Sequence, residues 1–265
     1  MAYNKYGLAY QGGKSVLADD LLSVIPSAEN FYDLFAGGCS ITHAAILSDK
    51  WENVYSNDIS DMPLVFKKAV EGFDYNSYLR PVSKEEFNTT SDPIIKYIFS
   101  FSTNFKDYAL TEKNREIFEL FLRFVKNPIE NIKLLNYYNG KPVTSYTIVL
   151  RQIRHLIHRF NCIDSAKLNI TKLDYRAVNI KPNSVIYCDI PYINTGGYGV
   201  KFNHQEFYEW VKDKAKEGIE VYFSECSAPS EFTEVWSKDV RFQSTLNGNK
   251  GSKNTRTEKL FKYVI

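Results

Sequence analysis

Alternation of apolar and polar residues marks out the elements of this chain. Phe31, Tyr32, Leu34 and Phe35 make a short apolar run from Asn30 to Phe35 that ends in Ala36-Gly37-Gly38. That pattern predicts a strand running into a glycine turn. Ile41, Ala44, Ala45 and Leu47 follow at helical spacing, with Ser40 placed to cap the helix. A second strand is predicted over Val54–Asn57, ending at Asp58, and a helix over Pro63–Val70. Strands return at Ser184–Cys188 and Glu220–Phe223, flanking a helix from His204 to Lys216 that Asn203 caps and Gly218 closes. Glu258–Val264 alternates as a last strand.

The middle of the chain differs. Ser83 and Glu86 have capping-box spacing, Ser91-Asp92-Pro93 opens a further helix, and Ile117, Leu120, Phe121 and Phe124 give Thr111–Lys126 a helical period. Asn139-Gly140 signals a turn, such as a hairpin. Strand–helix–strand patterns at both ends around a helical middle predict an α/β fold, a doubly wound sheet interrupted by an inserted lobe.

Composition narrows the class. The chain has 265 residues, 44% hydrophobic and 24% charged, enough apolar side chain to offset the entropy of ordering. Its apolar runs are short (Ile94–Phe101 is broken by Lys96 and Ser100), so no membrane-spanning helix is expected. Met1–Lys14 lacks the apolar core of a secretory signal. The four cysteines, Cys39, Cys162, Cys188 and Cys226, form no C-x-x-C pair. A zinc site and a disulfide scaffold are not expected, and a reducing, cytoplasmic compartment is.

The candidate chemistry lies at strand ends. Gly37 and Gly38 lack β-carbons and stand where a ligand could approach a helix N-terminus, and Asp58 could accept the two hydroxyls of a ribose. Two ordinary βα turns would also give this pattern. Adjacent glycines do not make a dinucleotide fingerprint, and Asp33 suits a cationic ligand end such as an ammonium or sulfonium better than a pyrophosphate. Gly12-Gly13-Lys14-Ser15 misses the P-loop spacing by one residue, and Lys14 could instead hold a carboxylate. Val185–Tyr192 is the most informative stretch: an apolar strand delivers Asp189 to its carboxyl end, and Pro191 and Tyr192 follow. A carboxylate, the Ile190 carbonyl and an aromatic plate suit a planar base bearing an amino group, although a strand end with an Asx-turn reads the same way.

In the lobe, Lys96–Arg159 holds eleven Lys or Arg against five Asp or Glu. Arg151, Arg154, His155, His158 and Arg159 fall on one helix face, opposite Leu150, Ile153, Leu156, Ile157 and Phe160. Such a stripe suits phosphates, and equally a solvated surface. The basic segment Asn247–Arg256 is either a loop that closes over substrate or an ordinary turn, and His43 is expected to be structural.

Taken in order, Ala9-Tyr10-Gln11-Gly12-Gly13-Lys14, Asp33-Leu34-Phe35-Ala36-Gly37-Gly38, Asn57-Asp58, Leu173-Asp174-Tyr175 and Asp189-Ile190-Pro191-Tyr192 resemble the motifs of the Dam-type DNA adenine methyltransferases, especially phage and prophage members. The resemblance spans nearly the whole chain. It departs at Ile190, where the family has its first proline; proline's main role there is to fix φ, so the loop should be looser.

The resemblance implies a Rossmann-like S-adenosylmethionine-dependent methyltransferase sheet from residues 1–70 and 165–265, with an inserted, mainly helical target-recognition lobe at 71–164. It implies S-adenosylmethionine as cofactor, no metal, and double-stranded DNA as partner, in the cytoplasm of a bacterium or phage-infected host, with a monomer favoured. Asp189, Ile190, Pro191 and Tyr192 would be catalytic. Tyr10, Gly12, Lys14, Asp33, Phe35, Ala36, Gly37, Gly38, Ser40, Asp58, Ile59, Asp174, Tyr175 and Asp189 would face the donor. Asn104, Lys106, Tyr108, Arg151, Arg154 and Arg159 would face DNA. Tyr192 would act through its ring, leaving its hydroxyl dispensable. Rival readings keep the donor and methylate an RNA base or a protein glutamine, or make the chain a catalytically silent DNA-binding relative.

Overall fold

The structure, a computed structural model, describes residues 5–10, 12–134, 144–158, 160, 163–193, 202–242 and 254–265. The Asn139-Gly140 turn, Arg159 and most of the Asn247–Arg256 segment lie outside them.

The strands are β1 (Asn30–Asp33), β2 (Asn53–Asn57), β3 (Leu168–Thr171), β4 (Ser184–Cys188), β5 (Glu220–Glu225), β6 (Phe232–Phe242) and β7 (Asn254–Tyr263). They form one sheet in the order β3-β2-β1-β4-β5-β7-β6, in which β3 to β5 are parallel and β7 runs antiparallel to both neighbours. This is the expected Rossmann-like sheet. Its strand order reverses between β1 and β4, the switch point where open α/β sheets bind ligands.

Side chains divide with a period of two. Phe31, Val54, Val185, Tyr187 and Tyr222 enter one buried cluster, while Tyr32, Ile186, Cys188, Val221 and Phe223 enter the other. The first face is covered by α1 (Ala18–Val24), α2 (Ser40–Leu47) and α3 (Met62–Glu71), the second by α8 (His204–Lys216) through Phe207, Tyr208 and Val211. Between α3 and β3 the described helices are α4 (Lys84–Thr89), α5 (Pro93–Phe99), α6 (Glu112–Phe124) and α7 (Thr144–His158). Their apolar faces continue the first cluster without a break, from Phe66 through Phe87, Phe99 and Phe118 to Phe160. The helix starts read at Ser83, Ser91-Asp92-Pro93 and Asn203 form, with Ser83, Asp92 and Asn203 each accepting a first-turn backbone N–H, and Thr111, read as the first helical residue, caps its helix in the same way.

Four expectations change. β1 stops at Asp33: Leu34 N–H makes the last ladder bond, to the Tyr187 carbonyl of β4, and the chain then turns, with Ala36 N–H on the Asn57 carbonyl. Ser40 is the first helical residue rather than the cap; Cys39, at φ 57°, holds the cap position, and Ser40 Oγ donates to the Tyr6 carbonyl. β7 begins at Asn254, inside the segment read as a loop. α1, β3 and the edge strand β6 were not expected. β6 carries Glu234, Lys238, Asp239 and Arg241 and a bulge between Glu234 and Trp236, devices that protect an exposed edge and erase its apolar pattern.

Among the described residues no helix is long and apolar enough to cross a membrane, and no group of three or more His, Cys, Asp or Glu could hold a metal. Cys39, Cys188 and Cys226 are free thiols.

Candidate active site

The site is built over the carboxyl ends of β1, β2 and β4. The N-terminal segment lies across the glycine turn as a strap. Leu8 N–H donates to the Gly38 carbonyl (2.6 Å), Gly7 N–H to His43 Nδ1 (3.0 Å) and Tyr6 N–H to Ser15 Oγ (2.8 Å). Gly7 sits at φ +64°, and a Cβ there would stand 2.5 Å from the Gly38 oxygen. At Gly37 a Cβ would lie 2.9 Å from the Tyr10 ring, and at Gly38 2.7 Å from Tyr10 Cβ. On the side where a Cβ would project, the glycine pair makes room for the protein's own strap. His43 is structural as expected, buried with its ring among Tyr6, Phe66 and Phe160.

Asp33 is buried. Its Oδ2 accepts from Thr42 N–H (3.1 Å) and Thr42 Oγ1 (2.7 Å), while Oδ1 has no partner among the described residues. Burial pushes its pKa up to about 7, opposed by the Thr42 hydroxyl bond and reinforced by the charges of Asp189 and Asp58. Asp58 accepts from Gly37 N–H and Ser60 N–H, both at 2.8 Å, so it braces the glycine turn while retaining acceptor capacity. Ile59 beside it is 68% exposed.

Asn57 ties this edge to the Leu173-Asp174-Tyr175 segment. Its Nδ2 donates to the Leu34 and Leu173 carbonyls, and its Oδ1 accepts from Leu173 N–H. Asp174 caps the 3-10 turn at Tyr175–Ala177 and pairs with Arg176, which also bonds Glu206. Tyr175 packs on Phe35 (5.2 Å between ring centroids) and Trp210 (5.1 Å).

Asp189 leaves β4 at the same edge. Lys14 Nζ lies 2.8 Å from its Oδ1, bearing out the reading that Lys14 holds a carboxylate. Burial pushes the Asp189 pKa up, Lys14 and Arg256 pull it down, and Glu258 pushes it up again. Tyr192 is buried; its hydroxyl donates to Glu258, and Lys14 and Arg256 lie over its ring at 4.8 and 5.1 Å. The Tyr192 hydroxyl thus has a partner inside the protein.

The missing proline at Ile190 has compensation in packing. Ile190 is 2% exposed and sits in the cluster of Leu34, Cys188 and Phe207. The Pro191 carbonyl bonds His204 Nε2 (2.8 Å), and Ile193 N–H donates to the buried Glu225 (3.1 Å). Burial and two bonds fix the loop where a second ring would have stiffened it.

The lobe-side candidates divide. Arg151 and Arg154 are exposed on α7 while Leu150, Ile153 and Leu156 are buried, as the stripe requires. Lys106 is exposed. Asn104 is engaged in its own turn, accepting from Lys106 N–H and Asp107 N–H and donating to Asp107. Tyr108 is half-buried against Phe87, with its hydroxyl on the Val82 carbonyl. This turn joins the strap through Thr103 Oγ1 and the Ala9 carbonyl (2.9 Å), and holds Thr103 and Phe105 at positive φ. Glu258, Glu225 and the His204 side chain were not singled out from sequence, and Asn57 and Arg256 entered only as parts of the Asn57-Asp58 motif and the Asn247–Arg256 segment. A charged pair at alternate positions, Arg256 and Glu258, on the face of β7 that buries Leu260 was the available signal.

Comparison with known proteins decides the family. A family model described as D12 class N6 adenine-specific DNA methyltransferase matches residues 10–258, from the strap to the last strand. The chain belongs to this family. Members of the family take the methyl group from S-adenosylmethionine. As a D12 chain it is similar to the Type II methyltransferase M.FokI of Planomicrobium okeanokoites, 25% identical over 238 residues, 79% of this chain and 32% of that protein. It thus spans about a third of that relative's length. A Pyrococcus horikoshii protein described as an RNA methyltransferase aligns over 95% of this chain and 84% of its own, at 11% identity and a TM-score of 0.40.

Proposed function

We propose that this chain transfers the methyl group of S-adenosylmethionine to the exocyclic amino group of adenine in double-stranded DNA. The observation that carries the reading is a buried, half-partnered carboxylate, Asp33, on the same sheet edge as Asp189. An anionic, desolvated edge fits a cationic ligand. The residues present fit the donor: Asp33 would face its charged end, Asp58 its ribose, and Ile59, Asp174, Tyr175 and Phe35 its adenine. Tyr10, Gly12, Lys14 and Ser40 lie on or under the strap that covers Ala36, Gly37 and Gly38. When bound, the donor supplies an electrophilic methyl group on a sulfonium, so the protein has no electrophile to provide.

The work left to this chain is placement. The amine lone pair of adenine is delocalised into its ring. Asp189 and the Ile190 carbonyl would accept the two N–H groups, favouring a nitrogen with an available lone pair, while Tyr192 offers a plate for the ring. Holding the amine in line converts binding into rate. The target base must leave the duplex stack, at about a few kcal/mol. Residues 71–164 would be the target-recognition lobe, with Arg151, Arg154, Arg159 and Lys106 on phosphates and Asn104 and Tyr108 shaping the turn beside the strap. Free thiols at Cys39, Cys188 and Cys226, the cysteines among the described residues, are in keeping with a cytoplasmic setting.

Sequencing with modification detection on DNA from a host expressing the chain tests the reading. N6-methyladenine at one recurrent sequence motif is expected. Unmodified host DNA, with labelled methyl transferred to RNA or protein instead, would overturn it.

A further inference from the structure

Lys14, Asp189, Tyr192, Arg256 and Glu258 converge from the strap, the catalytic loop and the last strand. Glu258 is 2% exposed and faces the side of β7 that buries Leu260, where an apolar residue would pack at no electrostatic cost. A carboxylate stripped of water at such a place costs several kcal/mol unless its neighbours answer it. Three do: the Arg256 guanidinium, the Tyr192 hydroxyl, and Lys14 Nζ at 3.9 Å. Two of the three are also partners of the reacting centre, since Lys14 lies on Asp189 and Tyr192 follows it by three residues.

We infer that Glu258 is a positioning residue for the transfer: it fixes the Tyr192 ring through its hydroxyl and gives Lys14 a second carboxylate when the target amine takes up Asp189. The inference rests on the function proposed above. Its geometry is explicit. In the structure Lys14 occupies Asp189 Oδ1 at 2.8 Å, an acceptor the amine needs, and Glu258 Oε2 stands 3.9 Å from the same ammonium. A shift of roughly 1 Å, within the reach of one lysine rotamer, would move the ammonium from one carboxylate to the other. Two carboxylates and two cations then stay balanced, and no charge is left buried alone. Glu258 touches neither base nor donor in this scheme; it acts through Tyr192 and Lys14.

The test uses the full chain and a duplex carrying the motif mapped in host DNA. Glu258→Gln keeps the shape but weakens both bonds, and its kcat is expected to fall about tenfold; Glu258→Ala, about a hundredfold. Tyr192→Phe removes the hydroxyl bond alone and is expected to lose about fivefold. Donor affinity by calorimetry and the KM for DNA should stay within about twofold. The double variant Tyr192→Phe/Glu258→Ala should be no slower than Glu258→Ala, because alanine already removes the acceptor of the Tyr192 hydroxyl.

A second readout follows from charge. Asp189 is faced by Lys14, Arg256 and Glu258, with Asp33 on the next strand. Removing the Glu258 charge should move the acid limb of kcat to lower pH, which loss of packing would not do. Wild-type kcat in all three single variants, or losses that simply add in the double variant, would overturn the inference while the parent still methylates adenine. A parent that transfers no methyl group to adenine would instead overturn the underlying function. If the Glu258 variants fail to fold, Tyr192→Phe decides, with a fivefold fall supporting the assignment and an unchanged kcat refuting it.

Discussion

At Asp33 a carboxyl group is held away from water with only one oxygen bonded, and its pKa stands at about 7 against 3.8 for the free side chain. The unfolded chain releases this proton near pH 4 and the folded chain near pH 7. Between those values the folded state binds more protons, so stability falls as pH rises through that window. Asp33→Asn has no charge to bury. It should melt higher than the parent at pH 8, by a few kcal/mol at roughly 1.4 kcal/mol per pKa unit, with little difference at pH 4. The same variant should bind S-adenosylmethionine more weakly, an exchange of stability for function. Thermal melts at both pH values and calorimetry check this; parallel melting curves would contradict it. Sequence made Asp33 a candidate because its charge suits a cation. Its missing partner on Oδ1 was not legible, since that depends on how Thr42 and the strap fold around it.

The strap, the glycine turn and the Asp189–Tyr192 loop are elements that hold one another. Gly7→Ala would place a methyl group 2.5 Å from the Gly38 oxygen at φ +64°. A left-handed alanine alone costs roughly 1–2 kcal/mol, and the backbone clash adds to it, so a fall in Tm of at least about 5 °C is expected. The Asp189–Tyr192 loop should respond to Ile190→Ala, which empties a buried site and should cost about 2–5 kcal/mol, read by denaturant melts. Ile190→Pro should by contrast keep activity only if the ring fits the cluster that now buries isoleucine.

Strong local signals carried the elements read correctly. Ser83, Asp92 and Asn203 cap the helices their spacing opens, β2, β4 and β5 stand where the apolar runs place them, and β1 starts there but ends at Asp33. β3 escaped because it has only two apolar positions, Leu168 and Ile170, and β6 because its charged residues and bulge break the alternation. Glu258 escaped because its importance comes from a neighbour, Tyr192, 66 residues away.

For the whole molecule, a net charge of +2 conceals a basic lobe. Arg151 and Arg154 stand on the exposed side of α7 while its other side joins the core that begins under the sheet. Substituting either by alanine should weaken DNA binding across sequences and lower the slope of log affinity against log salt by about 1. Binding that ignores salt would remove this face from the interface. The lobe shares its buried cluster with the sheet, so the account expects one cooperative unfolding transition rather than two, which calorimetry can read.

The most direct measurement of the central claim is Asp189→Ala in two assays on the same preparation. Calorimetry is expected to find S-adenosylmethionine bound with near-parent affinity while labelled methyl transfer to duplex DNA falls to background. Transfer at the parent rate in that variant would contradict it.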